Sequence, residues 1–182
     1  AAAAARVQRP CGGVVCVGRS GALRVNVRGA LPGAGDWTHQ YADAGNSACS
    51  DDTVSTPLVP LWFDDLGQAL TQRHGRGPSP LYLNGRVFSL GLHSLVAIDA
   101  YNGRKLWEFP LPGILEAYDG DHLMGTAGTH SPYCVAPHGV YVRRAGTCLR
   151  IDPVTGRELA TFRAPRTAEG KPGIWGFIAC EG

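Results

Sequence analysis

Trp37, His39 and Tyr41 occupy alternate positions, so on an extended strand they share one face and offer an aromatic floor with an imidazole beside it. A ligand could stack on that floor while the imidazole exchanges a proton near neutral pH. The competing reading makes Trp37 and Tyr41 core-filling side chains and His39 a hydrogen-bond partner of a loop. Arg73-His74 brings a cation and a second imidazole to the start of the Gly75-Arg76-Gly77-Pro78 loop. These five residues are the ligand-binding candidates. Asp51-Asp52 and Asp64-Asp65 come nearest to the several oxygens that a hard cation such as calcium requires, but paired aspartates are also ordinary turn formers. His93, His122, His130 and His138 have no metal-ligand spacing, and His138-Gly139 reads as a surface turn. The six cysteines, at 11, 16, 49, 134, 148 and 180, form no Cys-x-x-Cys pair, so no metal site is expected from them. Cys134 and Cys148 fall on what read as adjacent strands and could be bridged if their registers matched, but they read first as buried reduced thiols. Nucleophile elbow, P-loop and dinucleotide fingerprints are missing, and Gly33-Ala-Gly35 leads into no helical pattern. No catalytic residue is assigned.

The elements that must position these groups repeat along the chain. Leu95-Val-Ala-Ile-Asp99-Ala-Tyr-Asn-Gly103-Arg-Lys-Leu-Trp107 is echoed by Cys148-Leu-Arg-Ile-Asp152-Pro-Val-Thr-Gly156-Arg-Glu-Leu-Ala160, at a constant offset of 53 positions. Self-similarity near 50 residues is the mark of stacked supersecondary units, commonly propeller blades. Within the first unit, Asn84-Gly85 between two β-prone runs predicts a tight hairpin, because only residues tolerating positive φ fit that turn. Further β-prone runs at 95–98 and 105–109 complete four short antiparallel strands. Asp99 and Gly103, and their counterparts Asp152 and Gly156, preset the turn before the last strand: the aspartate accepts nearby amides and the glycine takes the left-handed position.

Ala97-Ile-Asp99-Ala-Tyr-Asn-Gly103-Arg-Lys-Leu-Trp107 resembles the blade signature of the pyrroloquinoline-quinone (PQQ) β-propeller repeat family. The resemblance implies a docking role between neighbouring blades for Ala97 and Trp107. The second unit has Arg150 and Ala160 at those positions, so its docking contact is expected to differ. Asp36-Trp37-Thr-His39-Gln-Tyr41, followed by Leu61-Trp62-Phe63, is similar to the segment that opens many such propellers, and 174–178 resembles the first strand of a further blade. The expected fold is all-β: a partial β-propeller of four-stranded antiparallel blades, about two blades plus the opening segment and a stub of the next, over residues 31–182. Arg73 and His74 then fall on a rim, where propellers usually bind partners.

Two functions follow from the resemblance. One is a binding or interaction scaffold inside a larger multidomain protein, whose partners are the remainder of its own propeller or parent chain and a protein or small-molecule ligand. The other is a fragment of a quinoprotein dehydrogenase, in which PQQ on a tryptophan floor beside a calcium ion oxidises an alcohol or sugar and an aspartate acts as base. Fold alone does not decide between them. The family also favours a periplasmic or otherwise extracytoplasmic location.

A chain of 182 residues suits one domain, whereas a closed propeller uses about four to eight blades. Open ends leave unpaired edges, and the only methionine is Met124, so the sequence is expected to be part of a longer polypeptide, marginal or self-associating alone. A net charge of +2 with 18% charged residues contains no run that steers nucleic acid or anionic lipid. No apolar stretch approaches the roughly 18–20 residues of a membrane span, and the alanine-rich start lacks the regions of a signal peptide. Residues 1–30 contain that tail and two strands, 11–19 and 23–29, joined by the Ser20-Gly21 turn. These strands are either the end of a preceding α/β domain, methyltransferase-like by the resemblance, or a hairpin laid against the propeller's last blade.

Overall fold

The computed structural model of the chain describes residues 2–53, 59–65, 67–70, 77–115 and 131–181. A short helix, α1 (Ala2–Val7), leads into a hairpin of β1 (Val14–Arg19) and β2 (Ala22–Val27). Two four-stranded antiparallel sheets follow. The first runs in the order β3 (Leu81–Leu83), β4 (Arg86–Leu90), β5 (Ser94–Asp99), β6 (Lys105–Pro110). Its successor uses β7 (Tyr133–Ala136), β8 (Gly139–Arg144), β9 (Thr147–Ile151) and β10 (Glu158–Arg163) in the same meander. The chain is a partial propeller, and each sheet is one blade.

Local chemistry explains the first blade. Asn84 and Gly85 take φ of 50° and 76°, the double left-handed turn that suits the twist of a two-residue hairpin, and β3 and β4 pair in register around them. On β4 and β5 the side chains alternate between two faces. Leu81, Phe88, Leu95 and Ala97, all 0% exposed, look toward the second blade and meet Tyr133, Val135, Val140 and Leu149 from it. Each large side chain so buried contributes about 1.5–3 kcal/mol. The Tyr133 hydroxyl enters this layer with its single proton shared between the carbonyls of Ser79 at 2.6 Å and Phe88 at 3.1 Å, which ties the blades together without an orphaned donor.

On the opposite face of the first blade, Val96 and Ile98 are also buried. The chain at 67–70 runs over this blade, with the Gln68 amide donating to the Ser89 and Ser94 carbonyls and Leu92 N–H donating to Ala69. By contrast, β1 and β2 form a separate two-stranded sheet and leave Val14, Val17, Leu23, Val25 and Val27 exposed. Gln8 lies against the ribbon, its side-chain amide donating to the Gly13 and Asn26 carbonyls. The tail is also held by Arg9, whose guanidinium pairs with Asp99 at 2.7 Å. Residues 174–178 form no strand. They lie along the far face of the second blade, where Trp175 N–H donates to Ala145 and Ile178 N–H to Ser131. Among the described residues no helix is long and apolar enough to cross a membrane.

Candidate functional site

The repeated turn carries the same bonds in both blades. Gly103 N–H donates to the Asp99 carbonyl at 2.9 Å while the Asp99 carboxylate accepts Tyr101 N–H; in the second blade Gly156 N–H reaches the Asp152 carbonyl at 2.9 Å, and the Asp152 carboxylate accepts Val154 and Thr155. Those amides hold the Asp152 carboxyl below its usual range. Each glycine, at φ of 74° and 71°, presents bare backbone to an indole. A Cβ on Gly156 would lie 2.7 Å from the Trp107 ring, and one on Gly103 would lie 2.5 Å from the Trp62 ring. Each indole also donates its N–H to the turn below it, Trp107 to Pro153 at 3.2 Å and Trp62 to Ala100 at 2.8 Å. Ala97 faces Trp107 across the β5–β6 pair, and its small side chain leaves room for the ring, which also packs at 5.9 Å from Phe88. Trp62 was not among the sequence candidates. It has no Asp-to-Gly turn before it, and the available signal was only a tryptophan in an extended run ahead of the first blade.

The group Trp37, His39 and Tyr41 does not assemble on one face. Trp37 exchanges backbone hydrogen bonds with Tyr82 of β3, and the Thr38 carbonyl accepts Val135 N–H of β7, so this segment spans the innermost strands of both blades. The chain then reverses through a His39–Ala42 bridge with Ala42 at φ of 73°, ending the alternation that a strand would need. Trp37 packs on the core, Tyr41 is exposed and His39 is 2% exposed. Cys180 N–H donates to His39 Nε2 at 3.1 Å, so that nitrogen carries the lone pair. Nδ1–H therefore donates to Thr38 Oγ1 at 2.8 Å, and this hydroxyl donates on to the Ala42 carbonyl. Burial pushes the imidazole pKa down, with the Asp43 carboxylate partly opposing it. His39 is a neutral clamp between the opening segment and residue 180. Arg73 and His74 lie outside the described residues.

Trp37 does reach a pocket, of about 310 Å³, with Asp36, Asp52, Tyr82 and Tyr101 among its walls. The two phenol oxygens are 3.1 Å apart, and burial raises the Tyr82 pKa. The carboxyls differ: burial, reinforced by the charge of Asp52, raises Asp36, whereas the Ser50 hydroxyl and Gly35 N–H hold Asp52 down. An aromatic wall beside two acceptors of unequal proton affinity suits a small ligand that offers donors. The Asp64-Asp65 pair is exposed and caps its own loop through Asp65 N–H and Gly67 N–H.

A quinone floor and its calcium need a free indole face and converging oxygens. The sequence holds four tryptophans, and each is engaged: Trp62 and Trp107 on glycine turns, Trp37 against the core, and Trp175 against Cys134 and Cys148 with its N–H on the Phe162 carbonyl. Among the described residues no three His, Cys, Asp or Glu side chains converge as a metal site. Among the described residues no tryptophan floor and no converging set of oxygens for the quinone and its ion is assembled. The adjacency expected for Cys134 and Cys148 is corrected, because β8 runs between their strands, with Cys134 opposite Tyr141 and Cys148 opposite Arg143. All six cysteines are free, and burial pushes the Cys134 thiol up to about 12.

An all-β partial propeller of antiparallel four-stranded blades is the class that this architecture defines. No protein-family profile matches the chain, and no curated protein does. Among solved structures, a europium-containing methanol dehydrogenase aligns with 51% of this chain at 20% identity and a TM-score of 0.37. The alignment spans 16% of that enzyme's chain.

Proposed function

We propose that this chain is a propeller-type binding module, a PQQ-repeat-like scaffold within a larger protein. Residues 31–182 form part of the ring and residues 1–30 are the end of a preceding domain. Its partners are the remainder of its own ring and a ligand held at the rim, in an extracytoplasmic setting. One observation carries this reading: Trp62 and Trp107 are committed to glycine turns and Trp175 to the far face of the second blade, so three of the four indoles serve assembly, while Trp37 packs on the core and also lines the Asp36 pocket. The Asp36–Trp37–Tyr82–Tyr101 pocket is the ligand site of the module, with the carboxylates accepting from the ligand and the rings covering it.

Titration of the 182-residue chain with PQQ and calcium, followed by quinone absorbance and by dye reduction with alcohols, tests the reading against quinone-dependent oxidation. No saturable quinone binding is expected. Ligand-observed NMR against small polyols and amines should find binders that Asp36→Asn weakens. Stoichiometric PQQ binding with alcohol-dependent dye reduction would overturn the proposal.

A further inference from the structure

Few charges meet in the linear sequence, yet folding gathers arginines at one end of the second blade. The β8–β9 turn brings Arg144, the end of β10 brings Arg163, and the loop after it brings Arg166 to the wall of a cavity of about 800 Å³. Thr147 and Thr161 line it too, and no aspartate or glutamate does. Arg144 and Arg163 are exposed and take part in neither of the two ion pairs among the described residues; Arg166 is braced by its Nη1–H on the Gly170 carbonyl at 2.7 Å. Of the acids near by in sequence, Glu158 accepts the Thr161 hydroxyl at 2.6 Å, and Glu169 in the 167–171 turn is engaged by the Thr167 hydroxyl, which holds its carboxyl low.

The walls are built by close backbone packing. Ala164 N–H donates to the Gly146 carbonyl at 2.9 Å, a Cβ on Gly146 would stand 3.0 Å from the Gly173 carbonyl oxygen, and one on Gly173 would stand 2.0 Å from that of Pro165. The 167–171 turn, closed by Thr167 N–H on the Lys171 carbonyl, carries the loop back over the β8–β9 turn. Three guanidinium groups around one cavity repel one another, and with no carboxylate in the walls the compensating charge must come from outside.

We propose that this cavity binds a dianionic oxyanion, free phosphate or the phosphate of a small ester. A guanidinium presents paired N–H donors that match phosphate oxygens bidentately, and three of them exceed what one carboxylate could neutralise. The volume lies within the range of small-molecule sites. The proposal rests on the reading of the chain as a binding module and adds a second, anion-selective rim site, apart from the Asp36 pocket.

Calorimetric titration of the whole chain with inorganic phosphate, glycerol 2-phosphate and neutral glycerol tests it, with amide NMR to map the site. Saturable binding of one or both phosphates is expected, with shifts centred on 144–147 and 161–173 and none from glycerol; preference between the two separates free ion from ester. Arg144→Gln with Arg163→Gln should weaken binding at least ten-fold, while Arg104→Gln in the β5–β6 turn leaves it unchanged. Absence of saturable phosphate binding, or binding retained in the double variant, overturns the site. Near-ultraviolet circular dichroism of the same samples reports blade packing, and PQQ titration reports the module reading, so failure of the anion site is distinguishable from failure of either.

Discussion

Across β5 and β6 the facing pair is Ala97 and Trp107, whereas the matching pair across β9 and β10 is Arg150 and Ala160. The indole projects away from its own sheet to cover Gly156 of the next blade. The guanidinium folds home, with Arg150 Nε donating to the His138 carbonyl at 2.9 Å and its aliphatic stem lying against Gly139. An indole-on-glycine contact therefore joins Trp62 to the first blade and Trp107 to the second, and the second blade sends none onward. Its far face is covered differently, by Trp175 and Ile178 of the adjoining C-terminal segment packed on Cys134, Cys148 and Tyr141. Two blades with the same turn thus differ in where their cohesion is directed: the first grips its neighbour, the second grips itself.

Removing the grip should have the largest effect. Trp107→Ala is expected to cost about 3 kcal/mol, since aromatic truncation loses transfer energy and leaves a cavity, while Trp175→Ala on the far face should cost about 1 kcal/mol. Urea unfolding of both variants measures the difference; equal losses would break the comparison. Gly156→Ala comes next, at about 2–3 kcal/mol, because it adds a methyl both to a left-handed backbone and to the Trp107 ring. Gly170→Ala is its control, with φ of 76° but nothing within 4 Å of the added carbon, and should cost about 1 kcal/mol. Loss of Trp107 fluorescence shift in Gly156→Ala alone would locate the strain at the indole.

A pH series sharpens the other boundary, between the opening segment and residue 180. His39 has its pKa lowered by burial from 6.5, so the unfolded chain takes up the proton first. Its contribution to stability is full above about 6.5 and is lost as pH falls below that value toward the depressed folded pKa. Thermal melts from pH 7.5 to 5 should show this decline, and His39→Gln should flatten it. Smallest of all, Arg150→Ala with Ala160→Trp installs the first blade's pair in the second. With no described glycine turn beyond it to cover, the change in stability should stay within about 0.5 kcal/mol. A large gain would mean that the far face already holds a docking partner.

What the sequence made legible was local. The Asn84-Gly85 hairpin, the Asp-to-Gly turns and the strands of both blades are set by residues within a few positions of one another, and the repeat showed them twice. The adjacency expected of the Cys134 and Cys148 strands failed because β8 intervenes, while the buried reduced thiols expected there are what the structure holds. Trp37, His39 and Tyr41 were expected to alternate along one face, but the chain reverses at Ala42, an alanine with no turn signature. Trp62 and the Arg144–Arg163–Arg166 cavity depend on contacts between segments far apart in sequence, which no local pattern encodes.

The hydrogen bond from Cys180 to His39 joins residues 141 positions apart, and the same segment also holds β3 through Trp37 and β7 through Thr38. During synthesis these N-terminal residues therefore leave the ribosome long before their last partner exists. Each blade can form its meander as it emerges, but this clasp must wait, and contacts of such separation slow the search for the native state. Late completion makes the stretch from 36 to 42 dependent on residues synthesised well after it.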